Sequence, residues 1–85
     1  MKHYASPSFW DCYGKLPKRV RELADKSFHL LKSHPNYPSL KLKKVGKYWS
    51  VRVGKGYRAL GIEVEDGILW FWIGSHSDYD KLVGR

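Results

Sequence analysis

The spacing of apolar residues changes period along this chain, and each change marks a change of element. Phe9, Trp10 and Tyr13 share one side of a short helical segment. Ser6 stands before Pro7, the pairing of N-cap and first helical residue that opens a helix, and Gly14 closes it. Leu16, Val20, Leu23, Ala24, Ser27, Phe28 and Leu31 then recur at steps of three and four. Lys18, Arg19, Arg21, Glu22, Asp25, Lys26 and Lys32 occupy the opposite side. That spacing predicts a longer amphipathic helix from Pro17 to His34, ended because the residue before Pro35 avoids the α region. The two helices are expected to form a hairpin that buries one side.

After Pro35 the period drops to two. Leu40 and Leu42 alternate with Lys41 and Lys43, which reads as a strand. Gly46-Lys47 is a turn. Trp49, Val51 and Val53 then point one way and Tyr48, Ser50 and Arg52 the other. Gly54-Lys55-Gly56 and Asp66-Gly67 read as hairpin connections on either side of a strand over residues 57–64. Residues 68–73 are almost wholly apolar, as expected of a central strand covered on both sides. Residues 74–80 follow as a polar loop at its carboxyl end, and residues 2–5 suit a short first strand. The expected fold is α+β: a short N-terminal strand, a helical hairpin, then an antiparallel meander sheet with helices on one face. The other face is left for function or a partner.

At 85 residues the chain has room for one domain, spanning residues 1–85. No apolar run is long enough to span a membrane. The start, Met1-Lys2-His3-Tyr4, lacks the apolar stretch of a secretory signal, so the expected compartment is the cytoplasm. The lone Cys12 excludes an internal disulfide and any Cys-based zinc site, and His3, His29, His34 and His76 lack metal-ligand spacing. No metal or cofactor is expected. Gly54-Lys55-Gly56 joins two strands and lacks the spacing of a phosphate-cradling loop.

The net charge of +8 is unevenly spread. Residues 35–58 hold seven cations and no carboxylate, whereas residues 59–85 hold two cations and five carboxylates. An all-cationic stretch is often only a solvated face. Here Tyr48, Trp49 and Tyr57 are interleaved with the cations, a mixture suited to stacking on unpaired bases and neutralising phosphates.

Four residues suggest chemistry. His76 stands just past the apolar strand and exchanges protons near neutral pH, although a single loop histidine is more often incidental. Arg52 and Arg58 flank the glycine hairpin on paired strands and can approach one phosphate together; otherwise they are two surface arginines. Tyr79 suits a hydrogen bond to phosphate, a stack on a base, or packing of the chain's end on the sheet. RNA cleavage by its own 2′-hydroxyl needs a base, an acid and a cation beside the phosphate, and no metal.

Leu16-Pro17-Lys18-Arg19-Val20 through His34-Pro35, then Pro38-Ser39-Leu40-Lys41-Leu42-Lys43-Lys44-Val45 and Tyr48-Trp49-Ser50-Val51-Arg52-Val53, resemble the RelE/ParE superfamily of toxins from type II toxin–antitoxin systems. Gly56-Tyr57-Arg58-Ala59-Leu60 is similar to the family's strand with a Tyr-Arg pair, and residues 72–82 are similar to its closing strand with His and Tyr beyond. The resemblance implies a toxin held inactive by an acidic antitoxin, which covers the basic sheet face or packs beside the helices. It implies a ribonuclease cutting mRNA on the ribosome, as the RelE branch does, or a DNA gyrase inhibitor, as the ParE branch is. A non-catalytic RNA-binding module is the third reading. Under the ribonuclease reading, Arg58 matches the phosphate-binding arginine, Arg52 stands near a family cation, His76 is general acid or base, and Tyr79 orients substrate. Lys41, Lys43, Lys44 and Lys55 contact the RNA backbone. With no carboxylate in residues 35–58, a glutamate base on this strand is unavailable.

Overall fold

The computed structural model describes residues 1–84. The elements run β1 (Lys2–Ala5), α1 (Pro7–Gly14), α2 (Lys18–Ser33), β2 (Lys43–Val45), β3 (Tyr48–Val53), β4 (Tyr57–Val64), β5 (Gly67–Ser75) and α3 (His76–Leu82). The sheet order is β1-β5-β4-β3-β2. β1 runs parallel to β5, and every other pairing is antiparallel. The apolar run of β5 is thus central, with a neighbour on each side, as its composition requires.

Local chemistry explains the helix starts. Ser6 Oγ accepts from the Phe9 backbone N–H at 3.3 Å, and Pro7 fills the first helical position, where no N–H is needed. α2 ends at His34, just before Pro35. Its stripe of Val20, Ala24 and Leu31 packs with Leu16 on Val51, Val53, Ala59, Ile68, Trp70 and Ile73. Ile68 is fully buried, and burial of such a side chain stabilises the fold by roughly 1.5–3 kcal/mol.

A bulge divides the two tryptophans of β5. Leu60 pairs with Trp72 but Gly61 with Trp70, leaving Phe71 as the extra residue. Trp70 therefore joins the core on the helix side, whereas Trp72 turns to the other face. A Cβ at Gly61 would come within 2.9 Å of the Trp70 ring, so the glycine makes the room that Trp70 fills.

Two elements depart from expectation. The alternation of residues 40–43 does not make a strand: Pro38–Leu40 forms a 3-10 turn, and Lys41 adopts φ +46 as its cap. Proline at the head of this segment favours a turn over extended pairing, and β2 begins only at Lys43. Most of residues 74–80, expected as a polar loop, falls instead in α3 (His76–Leu82). Ser75 Oγ accepts from Asp78 N–H at 3.1 Å, a cap visible in the spacing Ser75-x-x-Asp78. α3 packs on β4 and β5. Its buried Tyr79 lies beside Arg58, whose neighbour in sequence, Ala59, faces the core, so α3 covers part of the second face.

β1 is tied to the sheet by a titratable group. Trp70 Nε1–H donates to His3 Nδ1 at 3.2 Å, and the rings stack at 6.2 Å. Burial, then the N-terminal amine and Lys32, hold the His3 pKa below its ordinary value of 6.5. The unfolded chain therefore binds this proton more readily. The contribution of His3 to stability is present above about pH 6.5 and is lost as pH falls toward the lower folded value. Urea midpoints at pH 7.5 and 5.5 should differ less in His3→Gln, which keeps an acceptor without titrating. An equal pH dependence in wild type and variant would refute this link.

Candidate active site on the second sheet face

The register sorts the cations by face. Arg52 lies directly opposite Arg58, Ser50 opposite Leu60, and Lys43 opposite Ser50. Paired residues share a face, and these lie on the side away from α1 and α2. No strand position facing this way carries a carboxylate. Lys43, Arg52 and Arg58 thus form a cationic row across three strands, with Tyr48 and Trp72 on the same face.

Arg58 is the buried member, only 8% exposed. Its Nη1 donates to Ser50 Oγ at 3.2 Å, and Ser50 is itself fully buried. The guanidinium carbon lies 5.2 Å from the centroid of the Tyr79 ring. Among the described residues no carboxylate pairs with Arg58, and neither Arg58 Nε nor the Tyr79 hydroxyl has a hydrogen-bond partner. A buried guanidinium without a counter-charge carries a desolvation penalty of several kcal/mol per ion. The arrangement suits an anion that meets the unused donors.

His76 is placed by backbone. Its N–H donates to the carbonyl of Gly56 at 2.8 Å, joining the start of α3 to the hairpin before Arg58. Its ring lies 5.7 Å from that of Tyr79. Lys55 stands at the tip of the same hairpin, between Gly54 and Gly56. Gly54 takes φ +61 there, which a side chain would oppose. His76, Tyr79, Arg58 and Lys55 therefore cluster at one end of the sheet, and Arg52 joins them across the β3–β4 pair. Arg52 Nε donates to the Gly54 carbonyl at 2.9 Å, which holds this arginine against the hairpin.

A match to the ParE-like toxin domain model covers residues 18–81. The chain belongs to this family. The toxin therefore falls within the RelE/ParE superfamily of toxins from toxin–antitoxin systems, with the α+β fold expected for it. Several solved structures share the fold. The toxin is 23% identical to a chain of the RelB-RelE antitoxin-toxin complex from Methanococcus jannaschii, with a TM-score of 0.67 over 92% of this chain and 96% of that one. A YoeB/ParE toxin from Agrobacterium tumefaciens is 21% identical, with a TM-score of 0.65 over 89% and 99% of the two chains. The isolated RelE toxin of E. coli is 18% identical, with a TM-score of 0.62 over 98% and 95%. No curated protein matches the toxin.

Not every expected residue joins the cluster. Lys44 lies opposite Trp49 on the helix side and pairs with Glu63 at 3.4 Å. Lys41 caps the 3-10 turn, outside the sheet. Of the interleaved aromatics, Trp49 and Tyr57 pack against the core, and only Tyr48 faces the cationic side. Tyr79 is 2% exposed and packs the chain's end against the sheet, under Arg58. Three further participants emerge: Ser50, which holds Arg58; Trp72, brought round by the bulge; and Asp80, whose Oδ2 lies 3.2 Å from His76 Nδ1. The spacing of four from His76 to Asp80 signals the last contact only where these residues are helical, as they are in α3.

Proposed function

We propose that the toxin is a metal-independent endoribonuclease that cleaves mRNA on the ribosome by 2′-hydroxyl attack. The observation that carries this reading is Arg58: a buried guanidinium, without a carboxylate among the described residues and with Nε unused, at the end of the sheet where His76 is pinned. Attack of O2′ on phosphorus makes a phosphorane whose added negative charge Arg58 and Arg52 would offset. His76 would act as general acid or base, and Tyr79, buried beneath Arg58 instead of facing substrate, would hold the guanidinium in place. Products are a 2′,3′-cyclic phosphate and a free 5′-hydroxyl.

The test is cleavage-site mapping on mRNA in translating ribosomes, with chelator present. Wild-type protein should cut within the A-site codon, and His76→Ala should lower the rate by roughly 10²–10⁴-fold while remaining folded. Wild-type cleavage by His76→Ala would remove the histidine from the mechanism.

Lys43, Lys41 and Lys55 would neutralise the RNA backbone. Lys43→Ala should flatten the salt dependence of RNA binding by about one unit of slope. Lys44→Ala, on the other face and paired with Glu63, should leave the slope unchanged. Equal slopes in Lys43→Ala and wild type would exclude a phosphate contact at Lys43.

The ParE-like description of the matching family favours a second reading, inhibition of DNA gyrase. That activity would not need His76. Intact mRNA with a loss of supercoiling, persisting in His76→Ala, would establish it. In both readings the toxin acts in the cytoplasm and is silenced by an acidic antitoxin. The solved complex of an antitoxin with a similar toxin supports such a partner. Its segment would cover the cationic row or fill the apolar groove edged by Tyr4, Trp10 and Phe28, all exposed. No described helix is long and apolar enough to cross a membrane.

A further inference from the structure

We propose that Asp80 is a positioning residue for His76, holding a proton on Nδ1 so that Nε2 is the atom that exchanges a proton with RNA. The inference rests on the ribonuclease reading above and adds a residue to it. Three observations carry it. The backbone of His76 is fixed at both flanks, by its N–H to Gly56 and by the Ser75 cap on Asp78. The ring is half exposed, so one edge is open to a substrate. A carboxylate lies one helical turn along, with 3.2 Å between His76 Nδ1 and Asp80 Oδ2.

An imidazole beside a carboxylate keeps its proton on the nearer nitrogen, because that N–H faces an acceptor of full negative charge. The other nitrogen then carries the lone pair. Acting as base, Nε2 takes the 2′-hydroxyl proton as the O2′–P bond forms and the P–O5′ bond breaks, and water protonates the released 5′-oxygen. Acting as acid, the imidazolium gives its Nε2 proton to the leaving 5′-oxygen, and water removes the 2′ proton. In both directions the reacting nitrogen is the same, Nε2.

The experiment uses the full chain labelled with ¹⁵N. Two-bond ring correlations, recorded after a pH series has located the neutral form, report which nitrogen bears the proton. The His76 signals are assigned by their loss in His76→Ala. Wild type should show the Nδ1–H form. Asp80→Ala should move the population toward the Nε2–H form that a free histidine side chain prefers, and Asp80→Glu should restore part of the Nδ1–H form. Cleavage by Asp80→Ala should fall roughly 10–100-fold, the effect typical of a partner that orients a working histidine. A circular dichroism melt within a few degrees of wild type separates this from loss of α3. An Nε2–H form in wild type, or an unchanged spectrum in Asp80→Ala, overturns the proposal. So does full cleavage by Asp80→Ala once wild type is known to cleave. If wild type leaves ribosome-bound mRNA intact, the ribonuclease reading fails first, and the catalytic meaning of Asp80 fails with it whatever the tautomer.

Discussion

Arg58→Met should lose mRNA cleavage by roughly 10²–10³-fold without losing stability. The two halves of that expectation have one cause. Arg58 is 92% removed from solvent, yet no carboxylate answers its charge among the described residues. Methionine fills a similar volume with no charge to desolvate, and a flexible thioether suits the contact with Tyr79. One hydrogen bond, to the fully buried Ser50 Oγ, is lost, and leaving that hydroxyl unpaired costs about 1–3 kcal/mol. Relief of the buried charge offsets it, so the urea midpoint should hold or rise. A variant that is inactive and also much less stable would mean that Arg58 is structural. A variant of full activity would mean that the phosphate is stabilised elsewhere.

The second large effect is expected far from the chemistry. Gly67→Ala should destabilise the fold by about 2 kcal/mol, a melting-temperature drop of about 8–16 °C for a domain of this size. Gly67 pairs with Lys2 across the parallel β1–β5 contact, and a Cβ there would run into the Lys2 carbonyl and its neighbouring backbone atoms. Backbone cannot rotate aside as a side chain can. β1 must therefore retreat, loosening Lys2 N–H to the Asp66 carbonyl at 3.0 Å, Ser6 N–H to the Trp70 carbonyl at 2.9 Å, and the His3–Trp70 bond. Amide exchange should quicken at the N-terminus before it does in β3 and β4. A melting temperature within 2 °C of wild type would show that the edge strand shifts freely.

Much of this architecture is legible in the chain because its local signals agree. The Ser6-Pro7 start, the α2 stripe, the Tyr48–Val53 alternation and the apolar β5 run each point to the element found. The failures have separate physical causes. Leu40 and Leu42 alternate with lysines, yet Pro38 sets a turn before a strand can start. Residues 76–82 are too polar and too short to show a helical stripe, so only the Ser75 cap marks α3. The site was legible in part. Arg52 and Arg58 face each other as the hairpin requires, and a strand puts the consecutive Lys43 and Lys44 on opposite faces, but only the register with β3 shows that Lys43 is the one on the arginine side. Nor could it show that a bulge at Phe71 brings Trp72 to the side of Arg58. The burial of Arg58 is not visible in the sequence at all, since it depends on Tyr79 folding back from a helix that carries no apolar stripe.

The parallel pairing of β1 with β5 also sets an order of events during synthesis. Lys2 meets Gly67 and Ala5 meets Trp70, so β1 has no partner until β5 has been made. Contacts of such long sequence separation form late, because their loop entropy must be met before they reward it. His76 and Tyr79 come later still, and Arg58 is not enclosed until they arrive. The cluster around Arg58 is therefore complete only once α3 has been made and has folded back on the sheet.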